Sequence, residues 1–496
     1  MTLKKQIIAN YASQIYMTLV NLLVVPIYQR YMGAEAYGLV GFFSTLFTLF
    51  YLLDFGLSLL VQRETARFFG GASTANEFRA LYRAASLVFW GLGLLGVMGV
   101  VFSCRWLVER WFKLVMLEQE SVQFVLVLMA ITVGLRWLCG LYRGVLSGAE
   151  RMVWLSAFNA LVGSVRFLGV LLWMWWWGFT IQVFFIFQLG VALFEIMSLA
   201  IKTYSLLPQS APLTWTLKPL QSFLRFGLFG ALAAILNVLY VQMDRLLLSG
   251  LLPLSEYGNY SLAVLLSTSV MVVSTPISTV ILPRMSRLFA QGDKSELQSV
   301  YRLGTRLTSS IAGGGALVLA YCSEPVLFAW TGDADFAIKY APILSCYAVG
   351  YGFLALAYFP YYLEAARGTQ TWYMWGCLIL LVLQIPAVLW SSKNYGTQGV
   401  GWVWLGLAAF YLLVWAGVVH RRLSPGQHLR WLVTDILSMN WPAVAGMSVL
   451  ALLSFSPEGR MQAGVYAVVV GGSLLLANLA WLAWSERAVW RHARGS

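Results

Sequence analysis

Charge is the scarcest commodity in this sequence. Asp, Glu, Lys and Arg make up 11% of its 496 residues, against about 25% in an ordinary soluble domain. Histidine occurs three times, as His420, His428 and His492. The hydropathy pattern puts all three in cytoplasmic loops or the tail, which excludes a histidine-based catalytic centre or proton relay inside a membrane. The five cysteines (Cys104, Cys139, Cys322, Cys346 and Cys377) show no C-x-x-C pairing and no neighbouring histidine. They read as small packing residues, and no metal or cofactor is expected. No G-x-x-x-x-G-K-[ST] string occurs, so the chain carries no ATP-driven module of its own. Nucleic-acid binding needs a basic face on a folded domain, and no soluble domain is left over to carry one.

Apolar sequence fills the space that charge leaves. Hydrophobic residues account for 60% of the chain and mean hydropathy is +0.74. Runs such as Leu126–Val133, Val170–Phe179, Leu378–Trp390 and Val444–Leu453 recur without charged surface between them. A bilayer crossing needs about 20 mostly apolar residues, and spans of that kind are expected about 14 times between residues 8 and 484. The chain is therefore read as an all-α polytopic membrane protein. Lys4 and Lys5 resemble the basic start of a signal peptide, but Asn10, Gln14 and Asn21 interrupt the apolar stretch after them. No small-residue cleavage site appears before Pro26, so the first helix is expected to be retained.

Loop charges test the arrangement, because short cytoplasmic loops collect Lys and Arg. With the N-terminus inside, 23 of the 33 basic residues fall on the cytoplasmic side, 7 on the opposite side and 3 within spans. That asymmetry supports an even helix count with both termini cytoplasmic, and it accounts for the net charge of +13. Trp173, Trp175, Trp176 and Trp177 suit an interfacial belt at the outer end of the fifth span.

The chain also echoes itself about 220 residues apart. Tyr37-Gly38 recurs as Tyr257-Gly258, Arg63, Arg67 and Phe69 as Arg284, Arg287 and Phe289, and Tyr82-Arg83 as Tyr301-Arg302. One register held across several elements marks an internal repeat. Six helices per repeat, both entering from the same side, make it a parallel repeat, as in transporters that hold substrate between two rocking halves. The expected organisation is an N-lobe at 1–202 (helices 1–6), a cytoplasmic linker at 203–222 and a C-lobe at 223–420 (helices 7–12). Helices 13–14 and a cytoplasmic tail complete it at 421–496.

Several strings resemble a known group. The first half has PIYQRYMGAEAYG from Pro26 to Gly38, then LLDFGL, then LYRGVLSGAER; the second half has QMDRLLLSG, EYGNYSLA and PRMSRLF. In these the chain resembles polysaccharide and O-antigen flippases (Wzx type) of the multidrug, oligosaccharidyl-lipid and polysaccharide exporter superfamily. The resemblance covers most of the chain and weakens over the last two helices. It implies a V-shaped pair of six-helix lobes that move a polyprenyl-linked oligosaccharide across the bacterial inner membrane. It also implies membrane lipid and polysaccharide assembly proteins as partners. A drug exporter coupled to proton or sodium, or a peptidoglycan-precursor flippase, belongs to the same superfamily and is the alternative. A membrane glycosyltransferase would need a large extracytoplasmic loop. The longest here, 104–121 and 323–340, have 18 residues each, so an enzyme is not expected.

A charge at the bilayer centre costs roughly 3 kcal/mol on insertion scales, so ionisable residues within spans are candidate site residues. Arg136, Arg166, Arg245, Asp54, Glu195 and Asp244 qualify. Arg136 and Arg143 share a helix face with Gly140 and Gly144, while Ser156, Asn159, Gly163 and Arg166 form a second polar stripe. The functional reading makes Arg136, Arg143 and Arg166 a cationic wall for a pyrophosphate or acidic sugar, since guanidinium stays charged and donates in a planar fork. The bland reading pairs each arginine with a buried carboxylate. Asp54, Glu195 and Asp244 either bind a coupling ion or compensate charge. Asn10, Gln14, Asn21 and Asn159 either contact sugar hydroxyls or bond between helices.

Overall fold

The computed structural model describes residues 3–208, 218–452 and 459–495. Those residues are helical almost throughout, and no strand occurs among them. The helices separate into two bodies, 1–258 and 259–496. The boundary falls after the seventh expected span, so that helix belongs by its contacts with the first body. The centre of the expected linker, 209–217, lies outside the described residues.

The first body contains α1 (Leu3–Met32), α2 (Ala34–Phe50), α3 (Leu57–Phe69), α4 (Ala75–Trp106) and α5 (Gln119–Gly148). It continues with α6 (Met152–Ser164), α7 (Val170–Trp177), α8 (Ile181–Tyr204) and α9 (Lys218–Leu251). Helix starts obey local chemistry. Thr74 accepts from the Glu77 amide at 3.3 Å while Glu77 Oε2 accepts from the Thr74 amide at 2.9 Å, which satisfies two otherwise orphaned donors at the start of α4.

Helix α5 is the hub, packed between α3, α4 and α8. Its glycine stripe explains the closest of these contacts. A Cβ on Gly140 would meet Ser58 Oγ at 3.1 Å, and one on Gly144 would meet the Ser58 carbonyl at 2.8 Å. Small residues let the α3 backbone approach to that distance, the usual device for helix association in lipid. Arg136 and Arg143, turned by some tens of degrees around α5, are thereby left to face elsewhere.

The repeated Tyr-Gly dipeptides meet inside this body. Gly38 lies against Leu254, whose Cγ would stand 2.9 Å from an added Cβ, and Gly258 lies against Ala34 and Gly38. Tyr37 and Tyr257 are both buried. Nearby, Lys113 Nζ donates to the Leu251 carbonyl at 2.5 Å and Trp111 Nε1 to Ser249 Oγ at 3.0 Å. Glu35 accepts from the amides of Val115 and Met116 at 2.7 and 2.8 Å.

The second body contains the rest of α10 (Leu254–Ser267), then α11 (Ser269–Gln291), α12 (Lys294–Thr308), α13 (Gly314–Tyr321), α14 (Ser323–Thr331) and α15 (Ala334–Ala366). Then come α16 (Thr371–Phe410), α17 (Ala416–Leu423), α18 (Gln427–Arg430), α19 (Ser438–Leu452) and α20 (Arg460–Gly495). A polar seam fastens the terminal pair. Asn440 Nδ2 donates to Ser309 Oγ at 2.7 Å, Asn478 Nδ2 to Asn440 Oδ1 at 3.2 Å, and the Ala443 amide to Asn478 Oδ1 at 3.0 Å. Arg302 and Arg306, which loop counting treats as cytoplasmic topology charges, both pair with buried Asp435, at 3.0 and 2.8 Å. His420, expected in a loop, is instead fully buried in α17 and bonds Tyr301 at 2.6 Å and His428 at 3.0 Å.

Ten described helices are long and apolar enough to cross a membrane, or eleven if the pair bent by 75° at Cys322 is one span. One of the ten, Thr371–Leu423, has 53 residues and a left-handed Gly396 inside it. At 1.5 Å per residue it would be about 80 Å long if straight, far beyond a hydrocarbon core of about 30 Å, so Gly396 divides two crossings. Helices α1 and α10–α11 occupy the places of the first and eighth expected spans without being among the ten.

Candidate functional site

The site is built in the first body from α5, α8 and the segment between α6 and α7. Residues 165–169 form one π-helical turn. Such a turn accommodates an extra residue and rotates the helix beyond it. Its effect is visible in the neighbours. Upstream, the Ser156 carbonyl accepts from Ser13 Oγ of α1 at 3.0 Å and Gly163 lies against Met17. Arg166, within the turn, points instead to α8. The expected single polar stripe therefore splits, with Gly163 against α1 and Arg166 facing Glu195.

Glu195 is buried, with 3% of its side chain exposed, and it holds two arginines at once. Arg143 Nη2 donates to Oε1 and Arg166 Nη2 to Oε2, each at 2.5 Å. Arg166 is 11% exposed and Arg143 37%, so the cluster opens outward on the Arg143 side. The Cζ of Arg136 sits 4.0 Å from the centre of the Phe47 ring and 5.9 Å from that of Phe43. This geometry lets a ring face offset part of the desolvation of a cation. Arg136 also feels the charges of Arg166, Glu195 and Arg143, yet no carboxylate among the described residues pairs with it. Three guanidiniums against one carboxylate leave an excess of two positive charges.

Uncommitted hydrogen-bonding groups lie on the elements that build or adjoin the site. Gln188 of α8 donates Nε2 to the Arg166 carbonyl at 3.2 Å, while its Oε1 is buried without a partner. Arg166 Nε and Asn159 Oδ1 are likewise buried and unpartnered. A buried polar atom left unsatisfied costs about 1–3 kcal/mol, so these atoms are available to bond a polar group or water that enters here. Gln188 was not among the expected residues. Its position seven residues before Glu195, two turns along a stretch that is apolar from Val183 to Phe194 apart from it, was the available signal.

The other candidates lie apart from these contacts. Asp54 Oδ1 accepts from the Ser58 amide at 3.1 Å and Ser58 Oγ at 2.7 Å, so it caps the start of α3 and pairs with none of the three arginines. Asp244 is buried in α9 and is not among their partners either. In α1, Gln14 is exposed and Asn21 half-buried; the side chain of Asn10 lies outside the described residues.

Known proteins share this architecture. The lipid II flippase MurJ in an inward closed conformation superposes over 98% of this chain and 99% of its own, with a TM-score of 0.75 and 14% identity. A multidrug resistance MATE family transporter of the MOP superfamily, inward-facing, matches over 90% and 100%, with a TM-score of 0.66 and 13% identity. The molecule is thus a multi-pass membrane protein with the fold of MOP-superfamily transporters. The model of the polysaccharide biosynthesis protein family matches residues 3–289, more than half of the chain, and the chain belongs to that family. The membrane protein EpsK of Bacillus subtilis (strain 168), itself uncharacterized, is 22% identical over 370 residues, covering 73% of this chain and 71% of its own length.

Proposed function

We propose that the protein is a flippase that carries a polyprenyl-pyrophosphate-linked oligosaccharide, an O-antigen or similar repeat unit, between leaflets of the bacterial inner membrane. It moves the cargo outward by alternating access, with both termini cytoplasmic. The observation that carries the reading is the cluster of Arg136, Arg143 and Arg166 around the single carboxylate of Glu195. A pyrophosphate linkage brings about two negative charges, matching the excess of two positive charges. Arg143 and Arg166 donate to phosphate oxygens in planar forks, and Arg136 supplies a third charge from its seat on Phe47. Asn159 Oδ1 and Gln188 Oε1 accept from hydroxyls of the first sugar. Asn10, Gln14 and Asn21, which share a stripe by helical spacing in the sequence, are assigned to more distant sugars. The polyprenyl tail stays in lipid throughout.

The sign of the site argues against a cationic drug as cargo, since such a substrate would meet two uncompensated positive charges. A peptidoglycan precursor carries the same pyrophosphate, so the charge of the site does not separate it from a polysaccharide repeat unit. Chemistry of this kind needs no bond making or breaking by the protein, and the role assigned to it is transport alone. Polysaccharide assembly proteins are the partners that would supply and collect the cargo. Asp54 and Asp244 are the carboxylates that a coupling proton or sodium ion would use.

Reconstituted vesicles test the proposal. Two negative charges moving outward across a membrane that is negative inside gain about 4–5 kcal/mol per 100 mV. A labelled polyprenyl-pyrophosphate oligosaccharide should therefore flip faster under a potassium–valinomycin potential of that sign than under the opposite one. Equal rates under both signs, with a strict need for a proton or sodium gradient, would replace this picture with ion-driven antiport.

A further inference from the structure

Glu195 stands in the way of a phosphate at this site, and resolving that conflict assigns the residue a role. Its carboxylate already occupies the two guanidiniums that a phosphate would use, one oxygen on each at 2.5 Å. It is buried on α8, so it cannot diffuse away. A tethered group competes at an effective concentration of millimolar or more, which no lipid-linked substrate in a membrane needs to exceed if it brings two charges against one. Room for such an exchange exists on the same side chains. Arg166 Nε is buried without a partner, and Arg136 is engaged only by aromatic rings among the described residues. Each of Arg143 and Arg166 gives Glu195 a single nitrogen, leaving other donors of both forks uncommitted.

Resting on the headgroup reading, we infer that Glu195 is a built-in competitor of the substrate, a release residue that gives up Arg143 and Arg166 on loading and retakes them to expel the headgroup. Phosphate first lands on the uncommitted donors of Arg143, the more exposed of the two arginines, and then reaches those of Arg166 and Arg136. It then displaces the carboxylate, because two like charges on one guanidinium pair repel. On the far side the sequence reverses, and Glu195 closes the arginines again. Without it, three unopposed guanidiniums would hold a pyrophosphate too firmly for repeated turnover. A purely structural carboxylate would have no such effect on release.

The test separates affinity from turnover in the full-length protein. Binding of a short-chain prenyl pyrophosphate is measured in detergent, and flipping of labelled lipid-linked oligosaccharide is measured in vesicles at saturating substrate. Glu195→Gln should bind the probe about tenfold more tightly and flip at least about tenfold more slowly at saturation. Glu195→Asp keeps the charge but is too short to reach both arginines, so it should fall between wild type and Gln in both measurements. It also keeps the test informative if the Gln variant does not fold. Weaker probe binding in Glu195→Gln would overturn the inference, since it would mean that the carboxylate orders the arginines for a substrate that joins it. Wild-type behaviour of either variant in both assays would overturn it equally. The headgroup reading is judged separately: Arg143→Ala and Arg166→Ala should each lose probe binding. If neither does, that reading falls whatever Glu195 variants show.

Discussion

Replacing Arg166 with alanine isolates the headgroup contact from the integrity of the fold. In the resting protein Arg166 contributes one of the two hydrogen bonds to Glu195, and Arg143 contributes the other. Removing both would leave a buried carboxylate with no partner, a loss of about 3–5 kcal/mol. Removing Arg166 alone leaves Glu195 with Arg143, so the protein should still fold and insert. What disappears is a charge-assisted contact to phosphate, about 1.5–3 kcal/mol, or roughly 10- to 150-fold in a binding or rate constant. Flipping of labelled lipid-linked oligosaccharide in vesicles, normalised to inserted protein, should fall by that factor. Lysine should restore part of it, because it keeps the charge and loses the planar fork. If Arg166→Ala inserts normally and flips at the wild-type rate, the arginine only compensates Glu195 and the cluster is not a headgroup site.

Packing and topology give two further expected outcomes. Gly144→Val should lower the thermal midpoint, because its Cβ would stand 2.8 Å from the Ser58 carbonyl and overpacking costs about 1–3 kcal/mol; an unchanged midpoint would show that α3 and α5 can part freely. Reporter fusions at Gly292 and Gly332, both left-handed turns after helices, should read inside and outside respectively. The same side for both would break the expected helix count together with the repeat.

Much of this was legible in the sequence because lipid permits few alternatives. A low charge fraction and recurrent apolar runs force helices that satisfy their own backbone, and helical spacing placed Arg136 and Arg143 together. The Tyr-Gly echo reads as a repeat in the sequence, and that reading does not show that the two dipeptides meet, since a pattern in sequence carries no contact. What spacing missed has specific causes. A 3.6-residue count assumes a regular helix, and the π turn at 165–169 breaks that assumption where Arg166 must turn to α8. Asp435 sits at the edge of an apolar run, in another π-helical segment, where spacing does not single it out although it binds two arginines. Loop charge assigns Arg302 and Arg306 to topology, a rule about averages that is blind to a particular ion pair. Gln188 was visible only as a lone polar residue, and its meaning depends on the Arg166 carbonyl across from it.

If the cluster carries a pyrophosphate headgroup as proposed, its charge balance also says where in the cycle electrical work would be done. Loaded with a headgroup of about two negative charges, the cluster of three arginines and Glu195 is close to neutral, and a membrane potential acts only weakly on its passage. Empty, it carries two positive charges, and a potential negative inside draws it toward the cytoplasm at about 2.3 kcal/mol per charge per 100 mV. On the proposed reading, the potential would act chiefly on the return of the vacant site, and the headgroup would travel outward as part of a neutral complex. Both steps together move two negative charges outward, so the total is the same as for the headgroup alone. This arrangement suits a chain without a nucleotide-binding motif. It also gives the single carboxylate a reason to be single: a second one near Arg136 would neutralise the vacant site further and leave the loaded one with a net negative charge.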